Sequence, residues 1–268
     1  MWRDSRAAGV AYTGALVGAA VAVGVLTERA TARRPRRRVL SVAVATWAVL
    51  GGRTLQREAA GVYARLNADD LSGARERLPS LVGRDPSRMD EAEVARAVVE
   101  SVAENTSDAV VAPLLWGAVA GVPGLLGYRA VNTLDAMVGH RSPRYARFGW
   151  AAARLDDAAN LVPARATAAL VAAVGGRPRA VAEIVRRDAH RHPSPNAGWC
   201  EAAFAGALDV RLGGANVYGD RVEERPSLGD GKPPEQRDIR RATTLATRVS
   251  VAAAAVAAAI AAVARTRR

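Results

Sequence analysis

Hydrophobic and polar positions in this chain fall into long blocks. Residues 7–26 carry no charged side chain, and a run of roughly 20 apolar residues is what a helix needs to cross a bilayer. Gly14 and Gly18 give that run a GxxxG spacing suited to close helix packing. The arginine block RATARRPRRR at 29–38 follows and is expected on the cytoplasmic side. Residues 39–52 form a shorter apolar segment, which spans with its flanks or pairs with its neighbour as a re-entrant hairpin. The character then changes. Residues 54–108 are charged and helix-prone, with breaks expected at Asn67, Gly73 and the GRDP at 83–86, so they read as a mostly soluble helical insertion. DEAE at 90–93 looks like the acidic first turn of a helix.

The second half repeats the alternation. Residues 109–127 are apolar but hold Pro113, Gly117, Gly121, Pro123 and Gly124, the pattern of a broken membrane segment with Pro113 disturbing its start. A polar connection is expected over 128–148, and 150–174 is apolar again. A basic loop covers 175–198, in which Ser194 and Pro195 suit an N-cap and first helical position. A short apolar helix at 199–208 leads to RLGGANVYG at 211–219, which reads as turn-rich and able to approach an anion through backbone N–H groups. Residues 220–241 form a polar excursion, and the alanine-rich 249–264 is a weak span. The pattern predicts an all-α, polytopic helical membrane protein. It is a single membrane-embedded domain over 1–268, with 54–108 as the insertion.

Composition sharpens this picture. Half the residues are hydrophobic but only 4% are aromatic, so alanine, valine and leucine carry the apolar content. The net charge is +12 and the pI about 11.1. The basic residues lie beside apolar runs, and no nucleic-acid motif is present, so the lipid bilayer is the expected partner and nucleic acid is not. The one cysteine, Cys200, excludes an internal disulfide and any CxxC motif.

Candidate chemistry gathers in 100–165. Glu100, Glu104 and Asp108 recur at i, i+4 and i+8, which places three repelling carboxylates on one helix face. A cation, an arginine or a substrate would each compensate them. Arg154 shares a face with Asp157, and Asp156 with Asn160. Ionisable groups in an apolar helix are expensive and usually functional. His190 and His192 without a third ligand in view read as polar loop residues rather than a metal site.

Four blocks carry a resemblance: GRDPS, ESVAENTSDAVVAPLLW, YRAVNTLDAMVGHRSPRYARFGWAAARLDD and HPSPNAGWCEAAFAGALDVRLGG. They resemble the membrane-bound cobalamin-biosynthesis synthase family CobD/CbiB, and the similarity runs from about the first residues to the last helix. Family members usually begin with a further apolar segment holding an LLD…GDP…HP-type pattern. This sequence opens beyond it: either its start is placed too late or a helix is truly missing, and the second case would put activity in doubt.

The resemblance implies an adenosylcobinamide-phosphate synthase, an ATP-dependent ligase of the cell membrane with its catalytic face in the cytoplasm. It would join aminopropanol, or its O-phosphate, to the free propionate of the corrinoid adenosylcobyric acid as an amide. Other cobalamin-pathway enzymes are implied partners. The alternative is a non-catalytic corrinoid-binding membrane subunit or a transporter. Activating a carboxylate with ATP calls for a divalent cation, a base for the amine and donors for the oxyanion. Glu104 and Asp108 suit Mg²⁺ and count with Asp156 and Asp157 as catalytic candidates. Asp156 or Asp157 suits the base. Asn132 and Asp135 complete the metal site or orient the amine, and Arg141, Arg144 and Arg154 suit phosphate or propionate. Asn105, His190, Ser194 and Asn196 are expected to bind substrate.

The first run of apolar residues generates a test. After carbonate extraction the protein should stay in the membrane pellet, and recovery in the soluble fraction would contradict the reading.

Overall fold

The structure, a computed structural model, describes residues 4–139, 144–218 and 221–266. The elements are α1 (Arg6–Thr31), α2 (Pro35–Val49), α3 (Gly52–Leu66), α4 (Leu71–Arg77), α5 (Glu91–Thr106), a π turn at Ser107–Val111, α6 (Ala112–Val138), α7 (Trp150–Val174), α8 (Pro178–Asp188), α9 (Ala197–Leu208), β1 (Leu212–Tyr218), β2 (Arg221–Leu228) and α10 (Gln236–Thr266). Among the described residues four stretches are long and apolar enough to cross a membrane: Arg6–Thr31, Pro35–Leu66, Glu91–Val138 and Gln236–Ala264. The protein is thus a helical, polytopic membrane protein, with one addition to the expected all-α pattern. β1 and β2 pair antiparallel, with Leu212 opposite Leu228, Gly214 opposite Arg225, and a bulge between Leu212 and Gly214. The two glycines at that bulge made β1 read as turns.

The chain divides into two compact units. The first comprises Met1–Leu50, Val111–Pro163 and Ala253–Arg268. Here α6 packs on α1 and α2. The expected break is real and lies at Gly121, whose φ of 65° and ψ of −146° interrupt α6, while the π turn at Ser107–Val111 directly precedes Pro113, where the helix was expected to be disturbed. The break strips Val122 N–H of its helical partner, and Glu28 Oε1 on α1 accepts it at 3.0 Å. Gly24 lets α1 approach this point, since a Cβ there would collide with the Pro123 backbone. Gly14 and Gly18, expected to be the packing pair, face open space. Trp47, Val39, Leu40 and Val119 are 81%, 65%, 63% and 67% exposed. So much apolar side chain on the outside fits lipid, not water.

The second unit comprises Gly51–Val110 and Ala164–Ala252, so the expected insertion shares one unit with the later polar segments. Asp90 and Glu93 form a full capping box at the start of α5, as the acidic turn suggested. The apolar positions Val94, Val98 and Val102 follow at one-turn spacing and are fully buried, as are Val62, Leu66, Leu78, Phe204, Leu212, Leu228 and Ile239 of the same unit. Three local expectations change. Gly73 lies inside α4 rather than breaking it, because Asp70 caps that helix by accepting from Gly73 N–H at 2.8 Å. Residues 128–138 continue α6, so Asn132 and Asp135 are helical. The start of α9 is Ala197, with Ser194 Oγ accepting from Asn196 and Ala197 N–H at 3.3 and 3.2 Å just before it.

Asp188 ties α8 to the end of the hairpin. Its buried carboxylate accepts from Arg187 at 2.8 Å, from Arg191 at 3.3 Å and from Gly229 N–H at 2.9 Å. The Arg187 hydrogen bonds hold its pKa down at about 2. A depressed carboxylate pKa contributes stability that is fully present above the unfolded value of 3.8 and is lost as pH falls through about 2. Asp188→Ala should cost about 1–3 kcal/mol near neutral pH by leaving buried donors unpaired. The difference from wild type should shrink below pH 3.8 and approach zero near pH 2, as read from tryptophan-monitored unfolding in detergent.

Candidate functional site

The densest set of buried charges lies in the second unit. It is drawn from the loop before α5, from α5, from the segment before α9, from α9 and from the hairpin. Glu100 is 3% exposed. One of its oxygens takes a short ion pair from Arg84 Nη2, and the other accepts Gly213 N–H at 2.8 Å. Arg96, one turn earlier, reaches the same carboxylate at 4.0 Å and donates to the carbonyl oxygens of Gly213 and Ala215. Two side chains of α5 therefore grip the backbone of β1. Beside them His192 Nε2 lies 2.9 Å from Arg225 Nη1 and 3.6 Å from Glu201 Oε1. A guanidinium only donates, so Nε2 accepts. Burial, and then the Arg225 charge, push the His192 pKa down to about 4, which leaves the ring neutral at pH 7. Burial, and then the repulsion of Glu100 and Glu104, raise the Glu201 carboxyl well above the carboxylate range against the pull of Arg225 and Arg84. The result is a desolvated pocket that gathers guanidinium groups, the Glu100 carboxyl, a neutral imidazole and a second carboxyl whose burial favours its protonated form.

The expected residues of this unit distribute unevenly around that cluster. Glu100, Glu104 and Asp108 are not one uniform stripe. Glu100 is buried in its ion pairs, Glu104 is exposed on α5, and Asp108 is half-buried in the π turn. Asn105 Nδ2 donates to Ser101, at 2.9 Å to the carbonyl and 3.2 Å to Oγ. His190 is exposed in a 3-10 turn, and His192 is the histidine that turns inward. Asn196 is buried and accepts from Arg165 at 3.4 Å, while the Arg165 guanidinium lies 4.5 Å from the centre of the Trp199 ring.

The first unit has a polar set of its own between α6 and α7. Tyr128 Oη donates to Asn160 Oδ1 at 2.9 Å, Asn160 Nδ2 donates to Asp156 Oδ2 at 3.0 Å, and Asn132 Nδ2 reaches Asp156 Oδ1 at 3.4 Å. Asp157 pairs with Arg154 at 3.5 Å. The adjacent aspartates thus differ: Asp157 faces a guanidinium, and Asp156 is held by neutral amides. Asp135 lies on α6, one turn after Asn132. Arg144 stands 5.4 Å from the Tyr145 ring centre. Arg141 lies outside the described residues.

Arg84, Arg96, His192, Glu201 and Arg225 were not among the site residues expected from sequence. Glu201 sits within the apolar run CEAAFAGAL, and one charge in such a run was the available signal. Arg225 was out of reach, because only the hairpin register brings it opposite Gly214.

Comparison with known proteins gives one consistent answer. Residues 1–246 match the family described as CobD/Cbib protein. The chain is 55% identical over 257 residues to the "Cobalamin biosynthesis protein CobD" of Mycobacterium tuberculosis, covering 94% of this chain and 82% of that one. It is 51% identical over 209 residues to the protein of the same name from Rhodobacter capsulatus, covering 77% and 66%, and 48% identical over 202 residues to that of Geobacter metallireducens, covering 73% and 63%. No solved structure matches.

The buried ion pair has a measurable consequence. Arg84→Met should destabilise the protein by about 3 kcal/mol, since an uncompensated buried carboxylate is the expensive outcome. Glu100→Gln in the same chain should recover more than half of the loss in melting temperature. An unchanged melting temperature in Arg84→Met would contradict the geometry.

Proposed function

The chain belongs to the CobD/Cbib family of cobalamin biosynthesis, which points to an enzyme, and on that footing we propose that it is an adenosylcobinamide-phosphate synthase. The observation that carries the reading is the family match across 1–246. In the proposed reaction a propionate oxygen of adenosylcobyric acid attacks the terminal phosphorus of ATP, and ADP leaves. The nitrogen of aminopropanol or its O-phosphate then attacks the acyl carbon, phosphate leaves, and the nitrogen's proton passes to a base. We place this chemistry on the cytoplasmic face of the cell membrane.

The side chains present suit each requirement. Among the described residues no group of three or more His, Cys, Asp or Glu side chains is placed to hold a metal. Mg²⁺ needs less than that, because one or two carboxylates suffice when phosphate oxygens and water complete its shell. Glu104, which is exposed, and Asp108, which is half-exposed, fit that sparse set. When bound, the ion would neutralise phosphate oxygens. Asp156 is the better candidate base of the two aspartates. Its carboxylate is oriented by Asn132 and Asn160 and, among the described residues, has no arginine or lysine within ion-pair distance to hold it ionised. Asp157 is engaged with Arg154. Asn132 and Asp135 serve the amine, and Arg141 and Arg144 serve phosphate or propionate. Asn105, His190, Ser194 and Asn196 serve the corrinoid side chains.

Purified protein in detergent should convert adenosylcobyric acid with ATP and Mg²⁺ when aminopropanol and its phosphate are supplied separately, giving amide and ADP with at least one of them. Corrinoid binding without turnover would mark a non-catalytic subunit instead. Asp156→Asn should accumulate normally and lose about 10²-fold or more in turnover, the usual size of a general-base effect. Asp157→Asn should lower accumulation, and adding Arg154→Gln should restore much of it. Normal turnover in Asp156→Asn would remove the base from this place.

A further inference from the structure

The first half of α10 carries arginines whose charge the buried cluster does not use. Arg237, Arg240, Arg241 and Arg248 line a cleft of about 470 Å³ with Tyr63 and Gly175, all within the second unit. Arg237, Arg240, Thr244 and Arg248 follow one-turn spacing with Arg241 beside them, so the guanidinium groups lie along one side of α10 and repel one another. Two of them are neutralised. Arg241 Nη1 lies 2.6 Å from Asp238 and Arg237 Nε 3.0 Å from Glu235. Among the described residues, Arg240 and Arg248 have no carboxylate within ion-pair distance. Arg240 instead stands 5.7 Å from the centre of the Tyr63 ring, which fixes its planar fork at the cleft wall. Arg248 directly precedes the apolar run 249–264, so the cleft lies beside the start of the apolar part of α10.

An uncompensated pair of guanidinium groups around a cleft of this size matches one ligand chemistry well. Phosphate oxygens accept from the planar fork in a bidentate manner, and a phosphate supplies the negative charge that the helix face lacks. We propose that the α10 cleft binds a phosphate group through Arg240 and Arg248. The phosphate comes from a soluble polyphosphate or from the headgroup of an anionic lipid. Phosphate binding in this cleft is read as binding and not as turnover, so its outcome is separable from that of the amide-synthase reading.

The test uses the full chain in detergent. Inorganic tripolyphosphate is titrated by calorimetry, and retained phosphatidylglycerol and phosphatidylcholine are compared by native mass spectrometry. Arg240→Gln/Arg248→Gln is set against Arg57→Gln/Arg179→Gln, which removes equal charge from exposed positions elsewhere. A loss of about tenfold or more in tripolyphosphate affinity, the scale of a lost charged hydrogen bond, with the control unchanged, supports a soluble source. Selective loss of phosphatidylglycerol supports a lipid source. As a check that needs no variant, phenylglyoxal modification of Arg240 and Arg248 in the wild-type protein should be slowed by whichever probe binds. Equal binding of both probes to both variants, no binding to wild type, or no protection of either arginine overturns the proposal.

Discussion

A buried carboxylate is the constraint on which the second unit depends. Placing the Glu100 carboxyl in a desolvated core is costly unless cations and N–H donors surround it. Arg84, Arg96 and Gly213 meet that need from two sides. Meeting it fixes the loop ahead of α5 and the register of β1, because Arg96 is also bonded to the Gly213 and Ala215 carbonyls. The hairpin that results carries Arg225 to His192, and His192 stands next to Glu201. A single electrostatic requirement thus recruits residues from 84 to 225 into one polar cluster inside an otherwise apolar core.

The first unit solves a related problem with less charge. Breaking α6 at Gly121 exposes a backbone donor in a segment apolar enough to cross a membrane, where water cannot satisfy it. Glu28 supplies the acceptor, and Gly24 provides the room for α1 to bring it there. Between α6 and α7 the same economy appears in the Tyr128, Asn160, Asp156 and Asn132 chain, where amides and a phenol hold a carboxylate in place. Polar groups of this kind are costly in membrane helices and are kept where chemistry or binding needs them.

Much of this was legible in the sequence. Periodic apolar runs located α1, α2, α7 and the interrupted α6, and the acidic turn at 90–93 announced α5. Helical spacing correctly paired Arg154 with Asp157 and Asp156 with Asn160. Local spacing failed where partners are distant in the chain. It placed Glu100, Glu104 and Asp108 on one face but could not foresee that Arg84 and Gly213 bury the first, or that the third lies in a π turn. It also read β1 as turns, because glycines that serve a strand bulge look the same as glycines that serve a loop. Since Arg225 reaches the cluster through that hairpin, missing the strands meant missing the residue.

The electrostatic state of the buried cluster is reported most directly by Glu201. The infrared spectrum of the wild-type protein at neutral pH should contain a protonated carboxyl C=O band that is absent from Glu201→Gln and that survives well above the ordinary carboxylate range. If the substitution instead removes only ionised-carboxylate bands, Glu201 is charged at neutral pH. The pocket would then be hydrated, and the buried cluster described here would not exist as such.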